Sequence, residues 1–292
     1  MVIKVIARAK INLTLDVLGL RTDGFHQVET VMQSIALHDI LEIELIDSDL
    51  VLVVPGGEVS EGKDNLVYRA ADLMKTRFGI QQGARIVLKK QIPLDAGLGG
   101  GSADAAATLR ALSVLWGIHL TLAELLKLGQ QLGSDVPFCL QGGTALAKGR
   151  GEILEPLVSC PSMGVVVIKP PWGASTAAVY QAYDALAPVG GPDTAGMIEA
   201  IEKQSPTDIA WKLINVLEAP VLFMYPAMNG IKERLFQAGA LGVLMTGSGS
   251  AVFGITHSIA EAYGVAERYS CAADEQIFIT ETLSIQDPLI KL

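Results

Sequence analysis

The stretch from Pro93 to Trp116, PLDAGLGGGSADAAATLRALSVLW, limits what this chain can become more than any other part of it. Gly97, Gly99, Gly100 and Gly101 crowd into five positions, and Ser102 then leads into alanines and leucines. Glycine reaches positive φ and lets a ligand approach the backbone with no Cβ in the way. Leu109, Leu112, Leu115 and Trp116 recur at helical spacing, and Gly117 closes the run, so a helix is predicted from about Ser102. A solvated linker would not run straight into such a helix, which weighs against a merely flexible turn. The unpaired N–H groups and positive dipole end of that helix face back onto the loop, and together they make an anion cradle. Two familiar phosphate loops are excluded: no G-x-x-x-x-G-K-[ST] occurs, and Gly97-x-Gly99-x-x-Ser102 lacks the third glycine of a dinucleotide fingerprint.

With 292 residues, the chain fits one large or two mid-sized domains. Half its residues are apolar, yet no apolar segment reaches the ~18 residues of a membrane span, and no membrane partner is expected. The N-terminus alternates too early to read as a signal peptide. Cys139, Cys160 and Cys271 are scattered, odd in number and without metal spacing, which points to a reducing, cytoplasmic setting. A net charge of −9 argues against nucleic acid as a partner. Phosphate would have to be held by local N–H groups and a few placed cations.

Residues 2–18 alternate as a strand, with Ile3, Val5, Ala7, Ala9, Ile11, Leu13, Leu15 and Val17 on one face. The polar face carries Lys4, Arg8, Lys10, Asn12, Thr14 and Asp16. It is either solvent-exposed throughout or, at Lys10 and Asn12, presents an ammonium and an amide to one ligand. Thr22-Asp-Gly24 marks a turn, with Phe25 and His26 opening a strand to Leu37. Residues 40–54 read as a further strand pair. Asn65 caps or begins a helix over 66–78, and 84–90 is a strand that enters the glycine loop. Thr121-x-x-Glu124 is a capping box for a helix ending at Gly133. Pro137 then prevents simple continuation and leaves Asp135 at the bend, where turn chemistry alone also explains an Asp. Turns at Gln141–Thr144 and Lys148–Gly151 flank a short strand, and a domain break falls near 157/158.

The second half begins with an apolar strand at 163–168. A helix from Ser175 or Thr176 to about Leu186 carries Tyr180, and Pro188–Asp193 is a loop. Helices are predicted at about 195–203, 207–218, 227–238 and 258–268, with a strand at 276–281. Thr246-Gly-Ser-Gly-Ser250 lies between two apolar strands, as an ordinary hairpin turn or a second ligand-facing loop. The tail 284–292 is either disordered or part of the fold.

Ala9-Lys-Ile-Asn-Leu13, the Pro93–Ala106 loop and Thr246–Ser250, in this order and separation, resemble the small-molecule kinases named for galactose, homoserine, mevalonate and phosphomevalonate, the GHMP kinases. Arg21-x-Asp-Gly-Phe-His26, Asp64-Asn-Leu66 and Gly133-Ser-Asp-Val-Pro137 narrow the resemblance to the members acting on 4-diphosphocytidyl-2-C-methyl-D-erythritol. It spans about residues 8 to 254.

The resemblance implies a two-domain α+β fold, residues 1–157 and 158–292, with the active site in the interdomain cleft. It implies ATP as phosphoryl donor with Mg²⁺, and a cytidine-diphosphate-linked polyol as acceptor in the non-mevalonate isoprenoid pathway. Lys10 and Asp135 would be the catalytic pair, Asp135 acting as base. Asn65, Pro93, Ala96, Gly97, Leu98, Gly99, Gly100, Gly101 and Ser102 would bind ATP, Asn65 near the adenine and the glycine loop at the β- and γ-phosphates. Asn12, His26, Gly247 and Ser248 would hold the acceptor. Phe25 and Tyr180 would sandwich its cytosine, with Thr176 nearby. Ser102 is the candidate protein contact to magnesium. Phe25 stands where these kinases more often carry Tyr, which keeps a stacking face and removes a hydroxyl. The rival readings are another GHMP-type kinase, of the homoserine or mevalonate kind, and a nucleotide-binding sensor without catalysis.

Overall fold

The computed structural model describes residues 2–186 and 190–283, together with the backbone of Ile290 and Lys291. Pro188 and Val189 of the expected loop, and 284–289 and 292 of the tail, lie outside the described residues.

Strand β1 (Val2–Leu20) turns at 21–25 into β2 (His26–Ile46), and the two form a long antiparallel ribbon. The ribbon bulges between Arg8 and Lys10 and again between Asn12 and Thr14. A bulge breaks strict alternation and re-aims side chains, and these two bracket Lys10 and Asn12. Exposed Lys4 matches the solvent-face reading, whereas Lys10, Asn12 and Thr14 are buried. Asn12 bonds to Thr246 and Thr14 pairs with Ile214, both in the second half, while Lys10 is enclosed by Asn12, Gly99 and Asp135.

Residues 40–46 prolong β2, and β3 (Leu50–Val53) does not pair back onto them. After helix α1 (Leu66–Phe78), strand β4 (Gly83–Lys89) inserts between β2 and β3, antiparallel to the first and parallel to the second. Local pattern shows two apolar runs and a turn, but pairing partners are set by the whole sheet.

Helix α2 (Gly100–Leu115) starts two residues before the sequence suggests, with Gly99 as its N-cap at φ +69°. It packs between the sheet and α1, burying Ala103, Ala106, Leu109 and Leu112. Helix α3 (Leu122–Leu132) has both halves of the predicted capping box, and α4 (Val136–Gln141) restarts at Pro137 with Asp135 as its N-cap. Proline is tolerated there because the first-turn N–H has no helical partner anyway. Strands β5 (Thr144–Lys148) and β6 (Ile153–Pro156) complete the first half's contribution to an eight-stranded sheet.

The expected junction at 157/158 lies in the connection from β6 to β7 (Gly164–Lys169). Helices α5 (Thr176–Asp184), α6 (Thr194–Glu202) and α7 (Pro206–Trp211) follow. The helix expected over 207–218 stops at Trp211, because residues 214–215 leave it as β8 (Ile214–Asn215), parallel to Thr14–Leu15 of β1. Helices α8 (Glu218–Met224) and α9 (Ala227–Gln237), the hairpin β9 (Gly242–Met245) and β10 (Val252–Thr256), helix α10 (Ile259–Arg268) and β11 (Gln276–Glu281) complete the second half. Its four strands form an antiparallel sheet in the order β11-β7-β10-β9, and β12 (Ile290–Lys291) returns to pair with Lys4–Val5 of β1.

One apolar cluster joins the halves: Ile11 and Leu13 of β1 pack with Val165, Val167, Leu244 and Phe253 of the smaller sheet. The result is a two-domain α+β structure whose halves meet along β1.

Candidate active site

Three backbone segments converge where the halves meet. The first is β1 at its bulge. There the Lys10 N–H turns from the strand ladder and donates to the Leu98 carbonyl at 3.0 Å, tying β1 to the glycine loop. The second is the loop itself. Gly97 and Gly99 hold φ +72° and +69°, conformations that cost other residues strain. A Cβ on Gly99 would also lie 3.1 Å from Lys10 Cγ. The Ala103 N–H, bonded to Gly99 O at 2.9 Å, is the first to pair within α2, so those of Gly100, Gly101 and Ser102 are left as helix-end donors.

The third segment is the turn between β9 and β10. It is a hairpin turn, and Gly247, Ser248 and Gly249 in it line the cleft. The Ser250 and Ala251 N–H groups donate to the Asp95 and Ala96 carbonyls, each at 3.2 Å. The Thr246 hydroxyl donates to Gly97 O at 3.2 Å and accepts the Asn12 N–H at 3.2 Å. The two glycine clusters, about 150 residues apart in sequence, are therefore laced together. Thr246 opens the second Gly/Ser cluster, but no local feature of the sequence marks it as a bridge to Gly97.

Lys10 and Asp135 come together. Their Nζ and Oδ2 are 3.4 Å apart, and Lys10 is 4% exposed against 30% for Asp135. Lys10 also donates to Asn12 Oδ1 at 2.8 Å, and the Asn12 amide donates to the Thr30 hydroxyl at 2.8 Å. The buried ammonium is thus paired and hydrogen-bonded, as a charge removed from water must be. Asp135, at the N-cap of α4, keeps an open side.

That side faces a cleft of about 860 Å³. Its walls include Lys10, Asn12, Gly97, Gly99, Ser102, Asp135 and Gly247 at one end, with Phe25, His26, Thr176, Tyr180 and Ser248 further along. Ala96 and Leu98 point into the core and use their carbonyls internally, so they offer no side chain to a ligand. Pro93, Gly100, Gly101 and Asn65 are not among the lining residues. Asn65 is occupied as the N-cap of α1, accepting the Val67 N–H at 2.9 Å and donating to Ser60 O at 2.7 Å.

At the far end the arrangement departs from the expected sandwich. Tyr180 stacks on the His26 ring, 4.6 Å between centroids, and not across from Phe25. His26 Nε2 donates to Asp184 Oδ1 at 2.9 Å, since a carboxylate can only accept. The half-exposed Phe25 ring is covered by Arg150, whose guanidinium carbon lies 4.7 Å from its centroid. Burial pushes the Tyr180 phenol up from its ordinary pKa, and the negative Asp135 adds to the effect, so it is a neutral hydroxyl. The Thr176 and Ser248 hydroxyls are 2.9 Å apart and bridge α5 to the β9–β10 turn. Arg150 and Asp184 escaped the sequence reading. Asp184 lies one helical turn after Tyr180, a spacing that places both on one face, while Arg150 sat in a turn with no other signal.

Behind the glycine loop is a buried charge cluster. Lys90 Nζ lies 2.5 Å from Asp39 Oδ2 and 2.7 Å from Asp104 Oδ2. Burial, with Asp39 close by, raises the Asp104 carboxyl to about 7. Burial would lower the Lys90 ammonium, but the two carboxylates more than offset it and its pKa is raised. A Cβ on Gly100 would come within 3.3 Å of Lys90 Nζ, so the cluster lies directly under the start of α2.

Among the described residues no helix is long and apolar enough to cross a membrane, and no group of three or more His, Cys, Asp or Glu is placed to hold a metal.

Residues 65–143 match the family description "GHMP kinases N terminal domain" and residues 197–275 match "GHMP kinases C terminal". The chain is 53% identical over 285 residues to a 4-diphosphocytidyl-2-C-methyl-D-erythritol kinase of Pelotomaculum thermopropionicum, covering 97% of this chain and 99% of that one. It is 46% identical over 280 residues to the kinase of the same name from Moorella thermoacetica, covering 95% and 98%. A crystal structure of a 4-(cytidine 5'-diphospho)-2C-methyl-D-erythritol kinase superposes with a TM-score of 0.81 at 35% identity, over 96% of this chain and 98% of that one. Homoserine kinase from Cytophaga hutchinsonii, at 19% identity and TM-score 0.76 over 98% and 95%, shares the fold. Likeness at this level runs through both halves of the molecule, and the chain belongs to the GHMP kinases and, within them, to the 4-diphosphocytidyl-2-C-methyl-D-erythritol kinase family of ATP-dependent enzymes.

Proposed function

We propose that this enzyme transfers the γ-phosphoryl group of ATP to the 2-hydroxyl of 4-diphosphocytidyl-2-C-methyl-D-erythritol, in the non-mevalonate route to isoprenoid precursors. The observation that carries the reading is the Lys10–Asp135 pair, 3.4 Å apart, at the end of the cleft bounded by the Gly97–Ser102 loop.

Phosphoryl transfer asks little covalent work of side chains; its rate comes from alignment and charge stabilisation. The loop and the first turn of α2 hold the β- and γ-phosphates on backbone N–H groups. Asp135 takes the proton of the acceptor hydroxyl as its oxygen bonds to the γ-phosphorus, and the bond to the β-bridging oxygen breaks to release ADP. Lys10 steadies the carboxylate and offsets charge on the moving group. The acceptor's polyol lies by Asn12, and its cytidine reaches the Phe25, His26 and Tyr180 end, with Thr176, Gly247 and Ser248 along the wall between. The adenine lies on the α1 side of the loop, towards Asn65.

The Ser102 hydroxyl is an oxygen donor lining the cleft beside the loop, which suits magnesium carried mainly by phosphates and water. Such an ion neutralises phosphate charge. The three free thiols agree with a cytoplasmic setting.

A coupled assay with ATP and 4-diphosphocytidyl-2-C-methyl-D-erythritol tests the reading directly. Turnover on homoserine or mevalonate in its place would favour the rival kinases, and no ATP consumption would favour the sensor. Asp135→Asn is expected to lose at least ~100-fold in kcat, in the range of a removed general base, with nucleotide affinity kept. Lys10→Ala should fall by a similar factor. Near-normal turnover in Asp135→Asn would remove it from the base role.

A further inference from the structure

Asn215, 4% exposed on the two-residue strand β8, has its carboxamide fully engaged behind the β9–β10 turn. Its Nδ2 donates to Met245 O at 2.9 Å and to Gly247 O at 2.7 Å, and its Oδ1 accepts the Leu217 N–H at 3.0 Å. Glu218 braces the same turn, accepting the Met245 N–H at 3.0 Å. Two carbonyls on either side of Thr246 are thus drawn back into the core by one side chain.

In a trans peptide the C=O and the following N–H point in opposite directions. The Gly247–Ser248 bond is trans. Pinning Gly247 O behind the turn therefore sends the Ser248 N–H forward, towards the cleft that Ser248 lines. Among the described residues the N–H groups of Gly247 and Ser248 have no hydrogen-bond partner. Gly247 is at φ +56°, and a Cβ there would lie 3.4 Å from Lys10 Nζ and 3.0 Å from Gly97 O. Free backbone amides in a turn bind anions, and the Ser248 amide is the one that faces the cleft, in a turn that lies beside the Lys10 ammonium.

We propose that Asn215 is a positioning residue for phosphoryl transfer: by holding the Gly247 carbonyl from behind, with Met245 O beside it, it aims the Ser248 amide at a γ-phosphate oxygen of ATP next to Lys10. The inference rests on the kinase reading above, but it makes its own demand on that amide.

Two measurements test it. In the ¹⁵N-labelled wild-type enzyme, adding the non-hydrolysable analogue AMP-PNP with magnesium should move the Ser248 amide proton downfield. In Asn215→Ala, the Ser248 response should be lost while the Gly100–Ser102 amides still respond. Its kcat should fall about tenfold or more, as a misaligned contact does, with both KM values within about twofold. A purely structural role would lower the melting temperature yet leave the Ser248 response in the molecules that fold. A Ser248 amide silent to the analogue in the wild type, or an unchanged kcat in folded Asn215→Ala, overturns the proposal. Should Asn215→Ala not fold, the wild-type titration decides. If the wild type binds the analogue but does not phosphorylate the cytidine-linked polyol, the acceptor assignment fails while the amide response still judges Asn215.

Discussion

Phe25 and Asp104 show two ways in which one side chain sets a property of the enzyme. Phe25 offers a half-exposed aromatic face at the end of the cleft, already covered by a guanidinium. Stacking a base on such a face is worth about 1–3 kcal/mol. Phe25→Ala is therefore expected to raise KM for the cytidine-linked acceptor about tenfold and to leave KM for ATP nearly unchanged; equal effects on both would place the base elsewhere. Asp104 acts through the fold. Its carboxyl is lifted from 3.8 to about 7 because it is buried and close to Asp39. A carboxyl held protonated by the fold favours the folded state below its unfolded pKa, and that contribution is lost as pH rises through the folded value. Asp104→Asn keeps the shape without the titration, so its melting temperature relative to wild type should rise between about pH 5 and pH 8. A constant difference across that range would show that Asp104 ionises like an ordinary surface carboxylate.

At the scale of elements, the glycine loop matters through what its missing side chains allow. Gly97 takes φ +72°, and a Cβ there would run into the Thr246 carbonyl of the opposing turn. Backbone cannot move aside as a flexible side chain can, so Gly97→Ala should separate the two loops. The expected outcome is loss of at least ~10-fold in kcat/KM for ATP, measured beside Gly57→Ala, a positive-φ glycine with open space around its Cβ position, as control for strain alone. Much at this scale was legible beforehand. Asn65 as an N-cap, the Thr121–Glu124 capping box, Gly117 after α2 and Pro137 at the start of α4 follow from local hydrogen-bonding and steric rules. What local rules missed was pairing at a distance. Residues 50–53 look like the return strand of a hairpin, and 212–217 look like more helix, until β4 and β1 respectively claim them.

For the molecule as a whole, the joint core decides how it comes apart. Ile11 and Leu13 from the first half share one apolar cluster with Val165, Val167 and Phe253 from the second, and Leu37 and Thr280 add a hydrogen bond of 2.8 Å across the halves. Phe253 is fully buried there. Phe253→Ala should cost about 3–5 kcal/mol and lower a single melting transition. Tryptophan fluorescence from Trp116 in one half and Trp172 in the other, followed in single-Trp variants, should give coincident curves. Two separate transitions would mean that the halves unfold independently.

Taken by itself, the sequence determined which chemistry was available: glycines bunched before an alanine-rich helix, a lysine on the first strand, and an aspartate at a proline-marked bend. Those are local facts, because backbone freedom, helix ends and capping depend on a few adjacent residues. Tertiary structure alone decided that Lys10 would be buried against Asp135, that the two glycine turns would be laced through Thr246, that Tyr180 would stack on His26, and that Asn215 would stand behind the second turn. Each of those contacts joins segments far apart in the chain. Their geometry is fixed by how two sheets close over one strand, which no window of neighbouring residues records.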